Sequence, residues 1–260
     1  GASFSLLMAD LFIDAKRRAL IHFLAIAVLI AAAMITIRDM AVLSTTAFSG
    51  MFVRDLTADV LKIAVYCVTA FSFIYAKPYL QERGLFKSEF YVLCLFAVLG
   101  MMLMISAGNL TVLYLGLELV ALSSYGLVGM DRDNPIASEA AMKYFVLGAI
   151  ASGLLLYGMS MLYGATGSLQ LESIYAAASQ TESPYMFKLG VVFILAGIAF
   201  KFGAAPFHMW LPDVYQGAPT AVTAFISSAP KLAAFGMAYR LLQSAAGPAA
   251  SDWVPLLAGI

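Results

Sequence analysis

Long apolar runs, separated by short polar segments, dominate the chain. A helix that crosses a bilayer needs about 20 consecutive apolar residues, because the hydrocarbon core is about 30 Å thick. Shorter apolar segments at the two ends indicate a partial first and a partial last helix. We therefore predict an all-α, polytopic transmembrane helix bundle that is part of a longer protein. Seven complete spans are predicted, at residues 19–37, 57–76, 90–107, 110–130, 144–162, 189–211 and 219–239.

Composition supports this class of protein. The chain is 62% hydrophobic and only 12% charged, whereas a soluble domain is about 25% charged. The formal net charge of zero excludes a nucleic-acid binder that relies on a basic face. Cys67 and Cys94 both lie in apolar runs, so we expect neither a disulfide nor a metal site. The expected partner is the lipid bilayer, and no nucleic acid is expected.

The loops differ in positive charge, which predicts the orientation of the chain. One side has seven Lys and Arg residues and the other has four, so the richer side is expected to face the cytoplasm. The 163–187 loop has neither residue type, and its LQLESIYAAA segment predicts a short helix at the opposite interface. The richer side has Lys16, Arg17, Arg18, Lys77, Arg83, Lys87 and Arg132, and the other has Arg38, Arg54, Lys188 and Arg240.

Three predicted spans contain a charged residue far from their ends. A charge at the bilayer centre costs at least about 2.5–3.5 kcal/mol, so it is retained where it pairs or serves a polar pathway. Glu118 lies about 12 Å into its span, and Lys201 and Lys231 lie about 18 Å into theirs. One acid and two bases at a similar depth predict a buried polar line through the bundle. The alternative for Glu118 is an ion pair that only fixes helix packing.

The 189–211 span predicts a broken helix. Pro206 removes a backbone hydrogen bond and Gly203 weakens the helix further. Unwound backbone at membrane depth occurs where it is buried in protein or lines a cavity. The break lies between Lys201 and His208, both of which can carry a proton. A simple proline kink, and a core histidine at 208, are the alternatives.

Three other residues have simpler interpretations available. Lys143 follows Glu139 by four residues, so it is either a surface ion pair or a member of the polar line. Trp210 and Tyr215 are expected to be interfacial aromatic residues.

A long motif then identifies a family. The segment FKFGAAPFHMWLPDVYQGAPTAVTAFISSAPKLAAFG at 200–236 resembles the characteristic motif of the antiporter-like membrane subunits of respiratory complex I. Its second half is most similar to the branch homologous to mitochondrial subunit 2. YLGLELVALSSYGLVG at 114–129 resembles the family's fifth helix, and SEAAMKYFVLGAIASG at 138–153 its sixth.

This resemblance implies two inverted five-helix repeats, each with one broken helix. Residues 1–89 would then be N-terminal transmembrane helices, 90–240 the first repeat, and 241–260 a loop and the start of the second repeat. Matched by motif, the proton-transfer residues would be Glu118, Lys201, Lys231, Lys143 and His208.

The resemblance also implies a function, which is proton translocation by a subunit of NADH:quinone oxidoreductase in a cell inner membrane. Its partners would be the other membrane subunits of complex I. NAD, FMN, iron–sulfur clusters and quinone would be bound by other subunits, and no cofactor by this chain. We expect Glu118 and Lys201 to form a direct or water-bridged pair. The rival functions are a subunit of a multisubunit cation/proton antiporter, which the PDVYQGAP and SSAPK segments disfavour, and a membrane subunit that conducts no protons.

Overall fold

The computed structural model describes residues 2–12, 18–40 and 44–259. Helices dominate these residues. A π-helical turn at Tyr239–Gln243 continues α11, and a 3₁₀ turn at Gly247–Ala249 precedes α12. The helices are α1 Ala2–Phe12, α2 Arg18–Arg38, α3 Leu56–Glu82, α4 Ser88–Ile105, α5 Leu110–Val128, α6 Pro135–Thr166, α7 Leu171–Ala178, α8 Pro184–Phe202, α9 Trp210–Gly217, α10 Thr220–Ile226, α11 Ala229–Ala238 and α12 Ala250–Ala258.

Seven segments of the described residues are long and apolar enough to cross a membrane, which confirms the predicted polytopic bundle. The sixth differs most from its predicted bounds of 189–211, because α8 begins at Pro184 and ends at Phe202. The seventh, Thr220–Gln243, combines α10, α11 and the π-helical turn. The predicted short helix of the 163–187 loop is α7. The division of the chain at residues 89 and 240 stays a prediction.

Local capping residues explain where three of the spans begin. The side chains of Asp55, Asn109 and Asn134 accept hydrogen bonds from backbone N–H groups in the first turns of α3, α5 and α6, at 2.8–3.0 Å. Each cap satisfies a donor that a helix N-terminus leaves without an intrahelical partner. Polar residues at the edges of the apolar runs therefore fix the start of these helices.

Two glycine pairs allow helices to cross closely. A Cβ on Gly100 would lie 2.6 Å from the Gly116 carbonyl oxygen, and a Cβ on Gly116 would lie 2.8 Å from the Gly100 oxygen. Gly158 and Gly190 form an equivalent pair, with corresponding distances of 2.6 and 2.9 Å. Small residues permit such backbone approach in membrane bundles. The pairs join α4 to α5 and α6 to α8, and so position Glu118 and Lys201.

A small β-hairpin, which the sequence did not predict, closes one end of the bundle. Strands β1 (Thr45–Ala47) and β2 (Phe52–Arg54) pair antiparallel, with Thr46 opposite Val53. The hairpin is attached to the end of α4, because the Val53 N–H donates to the Ser106 carbonyl at 2.7 Å. Strands of three residues are too short to give an alternating pattern. We call this the hairpin end of the bundle.

Candidate functional site

The break after α8 is the centre of the candidate site. Gly203 ends α8 in the left-handed conformation, with φ at 72°, which glycine adopts without steric cost. The Gly203 and Ala204 N–H groups donate to the carbonyls of Phe200 and Ala199 at 3.0 and 2.9 Å. Turns follow up to Trp210, where α9 begins. The predicted broken helix is therefore confirmed, and Lys201 lies in its last turn.

Lys231 caps this broken end from another helix. Its Nζ donates to the Lys201 carbonyl at 2.7 Å and to the Phe202 carbonyl at 2.9 Å. The last carbonyls of a helix have no intrahelical partner, and the helix dipole favours a positive charge beside them. The seventh span is interrupted between α10 and α11, and Lys231 lies in the first turn of α11 beside Pro230. This position allows the Lys231 side chain to reach the last carbonyls of α8.

Trp210 completes the cap and was missed by the sequence analysis. Its indole N–H donates to the Phe200 carbonyl at 3.0 Å. The Trp210 ring stacks on the Tyr144 ring at 4.8 Å between centroids. The Lys231 Nζ lies 5.0 Å from the centroid of the Trp210 ring. Only 2% of Trp210 is exposed, so its assignment as an interfacial aromatic residue was wrong, and Tyr215 beside it is half-buried. The sequence did offer one indication of this role, because a tryptophan close to a helix break has an indole N–H that can donate to a carbonyl left free by the break.

Lys201 and Lys231 line one small cavity, with a volume of about 30 Å³, which is enough for a water molecule. Tyr144, Trp210 and Ala121 contribute to its walls. The Lys201 Nζ lies 5.8 Å from the Phe200 ring centroid. In the described part of the chain, no carboxylate forms a direct ion pair with either lysine. We call this space the lysine cavity.

Glu118 is close enough to the lysine cavity for its charge to act on Lys201. No direct ion pair within 4.0 Å joins the two among the residues described. The expected pair is therefore not a direct one, and its water-bridged form stays a prediction. One carboxylate oxygen of Glu118, Oε1, is buried without a hydrogen-bond partner in the described residues.

The structure does not bring the two remaining predicted residues into the lysine cavity. Lys143 forms ion pairs with Glu139 at 2.9 Å and with Asp213 at 3.1 Å, on the surface between α6 and α9. This confirms the surface-pair interpretation and adds Asp213, which sequence spacing could not supply. His208 lies in the turns after α8 with an exposed side chain.

A second group of buried charges, also missed by the sequence analysis, lies at the hairpin end. Arg240 donates to the Asp55 carboxylate at 2.8 Å and to the Ile105 carbonyl at 2.9 Å. Arg54 pairs with Asp59 at 3.2 Å. Asp59, Arg240 and Lys62 are 1%, 5% and 7% exposed. We call Arg54, Asp55, Asp59, Lys62 and Arg240 the hairpin-end cluster.

Comparison with known proteins identifies the family of this chain. Residues 107–260 match the family described as "NADH:quinone oxidoreductase/Mrp antiporter, TM". NADH-quinone oxidoreductase subunit N of Xanthomonas euvesicatoria pv. vesicatoria (strain 85-10) is 53% identical over 260 residues, which cover 100% of this chain and 53% of the relative. Subunit N of Thiobacillus denitrificans (strain ATCC 25259 / T1) is 49% identical, with 97% and 52% covered. The chain spans about half the length of these relatives.

Solved structures give the same architecture. A chain of respiratory complex I from Thermus thermophilus with bound Aureothin is 32% identical, with a TM-score of 0.76 over 92% of this chain and 51% of that chain. A chain of the Mrp complex from Dietzia sp. DQ12-45-1b also gives a TM-score of 0.76, over 93% of this chain and 47% of that chain. Its 24% identity supports a common fold alone.

Proposed function

Because the chain belongs to the NADH:quinone oxidoreductase/Mrp antiporter transmembrane family, we propose that it translocates protons as part of a membrane subunit of NADH:quinone oxidoreductase. The observation that carries the proposal is the lysine cavity. It brings Lys201 and Lys231 together beside a broken helix, with Glu118 within electrostatic range. Two bases at one cavity, with an acid near enough for its charge to act on Lys201, can hold and exchange protons.

Lys231 is the better-stabilised cation of the two. A protonated Nζ has three N–H groups, and two of them are used by the carbonyls of Lys201 and Phe202. The end of α8 therefore favours a proton on Lys231. Lys201 has no comparable acceptor in the described residues, so its proton is the one that can leave.

Like charges in a small cavity repel, so a state with both lysines protonated is disfavoured. Glu118 offsets this repulsion by acting on Lys201. A change in the distance or hydration between Glu118 and Lys201 would therefore switch Lys201 between holding and releasing its proton. Once Lys231 has passed its own proton onward, its neutral amine can accept the proton from Lys201, so that protons move sideways through the bundle along the buried polar line that the sequence predicts.

The wider assignments extend the family resemblance and are part of this proposal. Electron transfer would take place in other subunits, which would hold NAD, FMN, iron–sulfur clusters and quinone, and this chain would hold none of them. The protein would lie in a cell inner membrane and contact other membrane subunits of the complex. The rival function, cation/proton exchange by an Mrp-type complex, predicts sodium-dependent activity without quinone reduction.

Lys201→Ala in the complete, assembled complex tests the proposal. We expect proton uptake into membrane vesicles to be lost or strongly reduced, and coupled quinone reduction to fall with it, because the titrating group is gone. Activity is normalised to assembled complex, and sodium is varied in parallel. Pumping at the wild-type ratio of protons to electrons would refute the role of Lys201, and sodium-driven exchange without quinone reduction would favour the rival.

A further inference from the structure

Trp210 presents the face of its ring to the charged end of Lys231. The Lys231 Nζ lies over this ring, 5.0 Å from its centroid, and a cation within about 6 Å of an aromatic face is attracted by the negative potential of the ring. Five other cations of the described residues lie over rings of Phe or Tyr. Because indole attracts a cation more strongly than either of these rings, Lys231 has the strongest ring partner among them.

A hydrogen bond and two stacked rings fix Trp210 in this position. The indole N–H donates to the Phe200 carbonyl at 3.0 Å. The Tyr144 ring stacks on the indole at 4.8 Å between centroids and 13° between planes, and the Phe200 ring stacks at 5.5 Å and 29°. If the indole turned away from Lys231, it would break the hydrogen bond and both stacks. The ring face is therefore held beside the lysine.

The surroundings of Lys231 leave the ring little competition from water. The lysine cavity has a volume of about 30 Å³, which is room for about one water molecule. Two of the three N–H groups of a protonated Lys231 are used by the carbonyls of Lys201 and Phe202. Within the described residues, the Trp210 ring is the partner left for the third. An aromatic ring attracts a desolvated cation more strongly than an exposed one, so the ring favours a proton on Lys231.

The other groups around Lys231 do not replace this attraction. The titratable residues that line the lysine cavity with it are Lys201 of α8 and Tyr144 of α6, the wall residues from α4 and α10 are apolar, and α3 contributes none of the described wall residues. Glu118 of α5 acts on Lys201, whose positive charge repels a proton on Lys231. No carboxylate of the described residues forms an ion pair with Lys231. Its proton is therefore held by the two carbonyls and the ring.

We propose that Trp210 is a positioning residue for proton transfer, because the face of its ring holds the cation of Lys231 and sets how readily Lys231 gives up its proton. This inference rests on the proposed function. A ring with a less negative face would let Lys231 release its proton more readily and would shift the proton towards Lys201. The proton moves between the two amines, and the indole keeps its N–H throughout.

Fluorinated tryptophans placed at position 210 alone test the role of the ring face. Fluorine withdraws electron density from the ring and so weakens its attraction for a cation, whereas it makes the indole N–H a stronger donor and adds little volume. The readout is proton uptake by vesicles of the assembled complex as a function of pH. We expect the alkaline midpoint of this profile, where Lys231 loses its proton, to move to lower pH with each added fluorine, by up to about one unit, a tenfold loss of proton affinity. An unchanged midpoint across the series would overturn the proposal, and so would a rising one, because the hydrogen bond would then be the decisive contact.

Two tryptophan-to-phenylalanine variants separate the ring face from the loss of a hydrogen bond. Trp210→Phe loses the indole N–H and has a weaker ring face. Trp253→Phe is the matched control, since its indole N–H donates to the Ala246 carbonyl at 2.9 Å and Trp253 is not part of the wall of the lysine cavity. We expect the alkaline midpoint to move to lower pH in Trp210→Phe and to stay in place in Trp253→Phe. Equal shifts in the two variants would contradict a role of the ring face.

Lys201→Ala, measured in the same preparations, separates this inference from the proposed function. If Lys201→Ala stops pumping while the fluorinated series keeps an unchanged pH profile, the role of Trp210 is wrong and the proposed function stands. If Lys201→Ala itself pumps normally, the proposed function is wrong, and the role of Trp210 in proton transfer is wrong with it.

Discussion

Within the described residues, the hairpin-end cluster and the lysine cavity both hold charged side chains that are buried or half-buried, and the two are built differently. In the hairpin-end cluster, arginines face carboxylates directly, at 2.8 Å for Arg240 and Asp55 and at 3.2 Å for Arg54 and Asp59. In the lysine cavity, Lys231 is held by backbone carbonyls, and Lys201 has no direct carboxylate partner in the described residues.

This difference separates a structural role from a proton-carrying one. Arginine holds its proton at any accessible pH and binds carboxylates in a fixed geometry, whereas a lysine can lose its proton when its surroundings favour the neutral form. Direct pairs also fix each charge in place. The hairpin-end cluster therefore joins α3, α4 and the π-helical turn, while the lysine cavity can change its protonation state.

The largest expected effect on stability comes from breaking the hairpin-end cluster. Arg240→Met leaves Asp55 and the Ile105 carbonyl without their donor, and removing one partner of a buried pair costs about 3–5 kcal/mol. We expect a lower melting temperature of the assembled complex and less complex per cell. Arg38→Met is the matched control, since the Arg38 side chain is 82% exposed. If assembled Arg240→Met complex lost pumping at wild-type stability, the structural role would be wrong.

Lys231→Met sharpens the comparison, because it removes both a cap and a charge. The carbonyls of Lys201 and Phe202 lose a donor, which we expect to cost about 1–3 kcal/mol, and proton uptake should stop. Lys231→Arg restores donors and charge, so stability should recover while pumping should not. The measurements are thermal unfolding and vesicle proton uptake of the same samples. Recovery of pumping by arginine would show that the charge, and not its proton exchange, is required.

The smallest effect is expected at Lys143, outside the lysine cavity. Its pairs with Glu139 and Asp213 are exposed, and exposed ion pairs contribute little. Lys143→Ala should therefore reduce proton uptake less than any change at Lys201 or Lys231. Lys188→Ala, which breaks a similar exposed pair with Asp252 at 2.9 Å, is the control. A loss at Lys143 as large as that of Lys201→Ala would extend the proton path to this surface.

The sequence predicted what depends on local pattern. Apolar runs gave the seven spans, and Gly203 with Pro206 gave the break after α8, because both signals act within a few residues. Lys201 and Lys231, two of the charges predicted inside spans, do line one cavity, whereas the common depth of Glu118, Lys201 and Lys231 stays a prediction. The position of Lys201 within its span was predicted less well. The helix α8 begins at Pro184 and ends at Phe202, so Lys201 lies in its last turn.

What the sequence could not predict depends on contacts between distant residues. Arg240 and Asp55 lie far apart in the chain, and nothing in their spacing indicates that the two ends of their helices meet. The cap on α8 also needs the interruption of the seventh span, which places Lys231 against a carbonyl that belongs to Lys201 itself. Lys143 could be interpreted in two ways until Asp213 was found beside it.

The central claim is that Lys201 works by exchanging its proton, and Lys201→Arg tests it most directly. The arginine keeps the positive charge for Glu118 but cannot release a proton at any accessible pH. The measurement is the ratio of protons taken up to electrons transferred by the assembled complex in sealed vesicles. The account predicts that Lys201→Arg is impaired like Lys201→Ala, and a wild-type ratio in Lys201→Arg would contradict it.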